Sequence, residues 1–134
     1  MYISLAKMEF ANFEDLAGKT LAQVDVNWDD YNDDYIKFVT TEGETFLMYH
    51  EQECCESVSI ESIEGELVNL LNHPILLAEE VTESGKIDDE DEWDGTQTWT
   101  FYKLATIKGY VDIRWNGSSN GYYSESVSFV KLLQ

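Results

Sequence analysis

The stretch HEQECCES, His50 to Ser57, gathers both cysteines, one of the two histidines and three glutamates into eight residues. Imidazole and thiolate are suitable ligands for Zn²⁺. His50 and Cys54 lie four positions apart and share a face if the segment turns helically. Adjacent Cys54 and Cys55 on an extended strand would point to opposite faces, so both reach one ion only in a tight turn. A full ligand set needs more groups, and the candidates are Glu51, Glu53, Glu56 and, just before Pro74, His73. The paired CxxC spacing that makes a structural zinc site readable is missing. The competing reading is plain packing, with one cysteine a small hydrophobe and the other exposed in a loop. Spacing leaves both open.

Other chemistries find less support. His50 beside Cys54 in sequence is not a catalytic dyad, and no serine elbow, phosphate loop or HExxH motif occurs. Neighbouring glutamates disfavour a thiolate unless a metal holds it. The run DVNWDDYNDDYI places oxygens at the first, third and fifth positions of a calcium loop. It lacks the central glycine, and Ile36 stands where the bidentate glutamate belongs. The chain is therefore expected not to be an enzyme.

The elements that must position these groups read mostly as strands. NFEDLAGKT suggests a short helix, with Asn12 as N-cap, Glu14 and Asp15 in the first turn and Gly18 as its stop. TLAQVDVNW alternates apolar and polar residues, with a slip at Ala22 and Gln23. YIKFVTT and TFLMYH form a hairpin about EGE, and SVSIESI puts Val58, Ile60 and Ile63 nearly on one face. EGELVNLLN suggests two helical turns ended by Asn72 and Pro74. PILLAEEV is a strand or a buried apolar run, and ESGKIDDEDEWDGTQ is an acidic loop. The C-terminal third alternates again, and NGSSNG suits a hairpin turn between the last two strands. Trp115, Tyr122 and Tyr123 around it are either cross-strand pairs or interface anchors. About seven short strands with one or two short helices predict an α+β fold, mainly an antiparallel meander, in a single domain over residues 1–134.

Charge is the strongest compositional signal, with 8 Lys and Arg against 27 Asp and Glu for a net −19. Between Lys37 and Lys86 there is no basic residue, whereas Lys103, Lys108, Arg114 and Lys131 outnumber Asp112 and Glu125 after Trp99. Such a chain is repelled by nucleic acid and anionic membranes and drawn to basic protein surfaces. The bland alternative is charge kept for solubility. No apolar run approaches the roughly 18 residues of a membrane span. No secretory leader opens the sequence, so a cytoplasmic home is expected, where a disulfide is disfavoured.

HEQECCESVSIESI, a short helix, AEE, and then TWTFYKLATIKGYVDIRWNGSSNGYYSESVSF together resemble an uncharacterised family of small phage-encoded proteins. The resemblance spans about residues 19–130, and its specific parts are the HxxxCCE and NGYYSE motifs. It implies an anti-CRISPR protein, acting in the host cytoplasm on a type II CRISPR effector nuclease. It also implies a structural zinc held by His50, Cys54, Cys55 and Glu56, with His73 a further candidate. Such nucleases line their channels with positive charge. The acidic tracts that would meet one are Asp29, Asp30, Asp33 and Asp34, and Asp88, Asp89, Glu90, Asp91 and Glu92. The alternatives are a metal- or thiol-dependent accessory phage enzyme and a phage protein of unrelated role.

Overall fold

The computed structural model describes residues 7–28, 33–87 and 95–133. Among them nine strands form two antiparallel sheets. The strands are β1 (Met8–Phe10), β2 (Leu21–Asn27), β3 (Tyr35–Thr40), β4 (Thr45–Tyr49), β5 (Ser57–Glu64), β6 (Leu77–Ile87), β7 (Gly95–Thr106), β8 (Gly109–Ser119) and β9 (Ser128–Leu132). One sheet has the order β1-β9-β4-β3-β2, the other β5-β8-β7-β6. Period-two patterning explains both. β3 reads intermediate-buried throughout, and β8 buries Val111, Ile113 and Trp115 while Tyr110, Asp112 and Arg114 face out.

The buried faces meet in one core. Ile36, Phe38, Met48 and Phe129 from the first sheet pack with Ile60, Tyr102, Leu104, Ile113 and Trp115 from the second. Phe129 stacks on Phe46 with ring centroids 5.5 Å apart and meets Phe13 edge-on at 5.5 Å. Trp115 points its indole N–H at the Met48 sulfur, 3.2 Å away.

The α+β expectation is corrected to a mainly antiparallel β protein. Helix is reduced to two 3-10 turns, Phe13–Leu16 and Leu67–Leu70. The expected first helix does start at Asn12, whose N–H donates to Asp15 Oδ2 at 3.3 Å. It stops after one turn because the chain beyond it is drawn into pairing: Gly18 N–H donates to Ile75 and Ile75 N–H to Lys19. The second ends where Asn72 takes φ +64° ahead of Pro74. Both burials are one-sided, with Phe13, Leu16 and Leu70 filling the core.

Strand count and one connection differ from the sequence reading. β6 runs on through Glu83 and Gly85 to Ile87, pairing Ile87 with Gly95, so much of the expected acidic loop is a long hairpin arm. The last two strands are not a hairpin. Asn116–Ser119 still belong to β8, and the chain then crosses to the other sheet, where β9 pairs with β4 and β1. Gly117 permits that crossing: a Cβ there would sit 2.7 Å from the Glu125 carbonyl oxygen. Trp115 is core, whereas Tyr122 is 87% exposed.

Candidate functional site

Residues 50–56 carry the chain from β4 in one sheet to β5 in the other. The segment is organised by one carboxylate. Glu56 accepts from the N–H of Cys54 at 2.9 Å, the N–H of Glu53 at 3.0 Å and His50 Nε2 at 2.8 Å. Gln52 Nε2 lies 3.3 Å from the same carboxylate and donates to the Glu56 carbonyl at 2.6 Å. The side chains of Glu56 and His50 are 0% and 4% exposed. Burial alone raises the Glu56 carboxyl, but the N–H groups of Cys54 and Glu53 and the His50 ring outweigh it and lower the pKa to about 2.

The other face of His50 completes the knot. Its Nδ1 lies 2.7 Å from the carbonyl oxygen of Ser126, on the segment that leads into β9. His50 thus has an acceptor within hydrogen-bond distance of each ring nitrogen, a carbonyl on one side and a carboxylate on the other. The ring therefore ties the crossover, through Ser126, to the sheet it leaves.

Cys54 and Cys55 are bonded to each other in a disulfide at the exposed tip of this loop. The sequence expectation disfavoured a disulfide on compartment; here the chain bends at both residues, which brings the two sulfurs to one side. The same turn was a condition for zinc, but the groups do not fit an ion as they stand. Both His50 nitrogens are engaged, Glu56 is saturated with donors, and the cysteines hold no thiolate. His73 lies beside the Thr20–Pro74 bridge, at the end of the first sheet opposite His50. Glu51 and Glu53 are exposed. Among the described residues no three His, Cys, Asp or Glu side chains converge to hold a metal.

The proposed partner-contact residues fare unevenly. Asp34 is buried at 4%, and its carboxylate accepts the Ile60 N–H at 2.8 Å, tying the lead-in to β3 to β5. It is a strut between the sheets, not a contact residue. The same Ile60 gives its carbonyl to Trp28 Nε1 at 2.9 Å, so side chains from across the sandwich close the β5 edge at its centre. Asp33 is half-buried. Asp29 and Asp30, and Asp88, Asp89, Glu90, Asp91 and Glu92, lie outside the described residues.

A third buried acid, Glu125, went unnoticed in the sequence. Glu125 takes the hydroxyls of Thr96 at 2.5 Å and Thr98 at 2.8 Å, and also that of Ser119. The only hint was the alternation of threonines in GTQTWT, which puts their hydroxyls on the inner face of β7. Surface cations are mostly neutralised nearby. Lys19 and Lys131 both reach Glu44, at 2.8 and 3.0 Å, and hold its carboxyl below the usual range. Lys37 lies 3.6 Å from Asp25, Arg114 3.3 Å from Glu61, and Lys103 4.0 Å from Asp112.

Among the described residues no helix is long and apolar enough to cross a membrane. No curated protein and no solved structure matches the chain. The family model for a domain of unknown function, DUF7448, matches residues 14–129, and the chain belongs to that family.

Proposed function

We propose that this chain is a non-catalytic interaction module that presents an acidic surface to a basic protein partner. One observation carries the reading. Lys19, Lys37, Lys103, Arg114 and Lys131 each sit within 4.0 Å of a carboxylate, so the cations are absorbed locally while the acidic excess stays outward. A net charge of −19 then acts on a partner with little local opposition. The His50–Glu56 knot and its disulfide, on this reading, fix the sheet crossover and do no chemistry.

The specific form of the reading is inhibition of a CRISPR effector nuclease. The resemblance in sequence and the charge both support it. Such an enzyme lines its nucleic-acid channel with Lys and Arg, and a folded acidic module competes there as a phosphate mimic. The acidic tract after Trp28, Asp29, Asp30 and Asp33, and the one after Ile87, Asp88 to Glu92, would then join the contact. The test is a titration of purified effector nuclease with the chain in graded salt, read by binding and by target-DNA cleavage. Binding that weakens steeply with salt, with cleavage lost in parallel, is the expected result. Binding indifferent to salt sinks the electrostatic reading, and binding without loss of cleavage sinks the inhibitor form.

A further inference from the structure

The geometry points to the free edge of β6 as the docking site, and to a basic, extended peptide segment as its occupant. This inference rests on the acidic-module reading and adds where and how a partner binds.

Among the described residues four strands stand at sheet edges, and they differ in availability. β1 has three residues. β2 is met at its start by the Leu21–Leu71 and Thr20–Pro74 bridges. The β5 edge is stoppered at Ile60, whose N–H and carbonyl are taken by Asp34 and Trp28. β6 is the longest of the four, at 11 residues, and β7 is its one strand partner among the described residues. Its lead-in is bonded at Ile75 to Gly18 and Lys19 and the Phe13–Leu16 turn packs against it, but it is exposed from Glu79 to Gly85. An edge of this length offers a row of backbone donors and acceptors to any incoming strand.

Its side chains state what kind of strand. Leu77, Glu79, Val81 and Glu83 pair with Ala105, Lys103, Phe101 and Trp99 and so share the outer face. The face alternates aliphatic and acidic. Val81 is 45% exposed and Leu77 38%. Opposite-charge and apolar cross-strand pairs each contribute about 0.2–1 kcal/mol, so the matching strand alternates Lys or Arg with aliphatic residues on one face. Inboard of this row, the same face carries a groove of about 400 Å³ over Phe101, edged by the acids Glu64, Glu79 and Asp112 and the cations Lys103 and Arg114. A long basic side chain can fold into it. The glutamates also work against the wrong partner: a second copy of this chain would set Glu79 and Glu83 against like charge. Edge charge that prevents self-pairing thus selects a basic strand.

The experiment uses the intact chain and a synthetic peptide with Lys and Val alternating on one face and Thr on the other. Binding is measured at low salt, with amide hydrogen exchange along the chain. Binding should protect the backbone of β6 from Glu79 to Gly85. N-methylation of alternate peptide amides should weaken it by about tenfold or more, since main-chain hydrogen bonds supply the affinity. The E79Q/E83Q variant, which removes the charges without setting a cation against Lys103, should lose binding several-fold while its thermal unfolding stays where it was. If the peptide binds but protects other residues, or binds equally when N-methylated, strand docking is overturned and the acidic-module reading stands. If no basic peptide binds at low salt, both fall.

Discussion

Glu56 and Glu83 carry the same side chain under opposite conditions. Glu56 is buried at the sheet crossover with two backbone N–H groups and the His50 ring on its oxygens. Glu83 stands exposed on an edge strand, opposite Trp99, where water solvates it. Asp34 and Glu125 belong with the first, Glu79 and Glu80 with the second. The charge of this chain is therefore not one property. Some carboxylates are consumed by the fold, each repaid for lost hydration by convergent donors, and the rest are displayed. Only the displayed set is available for recognition.

The sharpest way to break this comparison is at the interior member. Glu56→Ala leaves two N–H groups and His50 Nε2 without their acceptor, while His50 Nδ1 keeps the Ser126 carbonyl. Each buried donor so stranded costs about 1–3 kcal/mol, and the urea midpoint should fall accordingly. A loss under about 1 kcal/mol would mean the knot is not structural. The same carboxylate governs acid stability. Its pKa is 4.5 in the unfolded chain and about 2 in the folded one, so between these values the unfolded state binds more protons. The stability it contributes is complete above pH 4.5 and is lost as pH falls toward 2. Glu56→Gln should flatten that part of the urea-midpoint profile; an unchanged slope would assign the acid transition to other groups.

Glu125 offers a smaller break. Glu125→Ala strands the hydroxyls of Thr96, Thr98 and Ser119 on the inner face of the second sheet. Hydroxyls can turn to one another more readily than N–H groups, so the expected loss is about 1–3 kcal/mol. The triple change Thr96→Val, Thr98→Val and Ser119→Ala in the same background should recover part of it. No recovery would show that Glu125 acts through its backbone beside Gly117 instead. Tyr102→Phe should move the other way. Its buried hydroxyl makes no well-formed hydrogen bond among the described residues, although the Glu80 carboxylate lies close enough to interact with it, and burial, then Glu80 and Glu14, push its pKa upward. Removing it should raise stability by about 1 kcal/mol, whereas a drop in the thermal midpoint would reveal a hydrogen bond in solution.

The sequence showed the pattern of the sheets better than its carboxylates. The slip at Ala22 and Gln23 is the β-bulge between Leu21 and Gln23. The uneven spacing of Val58, Ile60 and Ile63 is the bulge between Ile60 and Ser62. Such defects are local, and hydrophobic periodicity records them. What stayed illegible is long-range. Nothing in SESVS reveals that Ser126 will accept from His50 or that Glu125 will lie under Thr98, since both depend on β9 leaving β8 for the other sheet. The residue types of HEQECCES suggest a metal, whereas the hydrogen bonds of the fold converge on Glu56. Two acceptors facing one histidine is a property of folded space, not of spacing.

The smallest expected effect is also the sharpest control. Glu83→Gln repeats the carboxylate-to-amide change of Glu56→Gln on a side chain that only water and neighbouring charge attend. Substitutions of this kind usually shift stability by less than about 0.5 kcal/mol. The change leaves the buried carboxylates Glu56, Asp34 and Glu125 untouched and removes one negative charge from an acidic face, which slightly relieves self-repulsion. Urea unfolding at neutral pH should therefore place Glu83→Gln on the parent curve and Glu56→Gln well below it. Binding of a basic partner should invert that order: Glu83→Gln loses affinity and salt dependence, while Glu56→Gln, so long as it remains folded, keeps both. If the two substitutions move stability and binding together, the division between consumed and displayed carboxylates fails, and the acidic excess has to be treated as one undivided field.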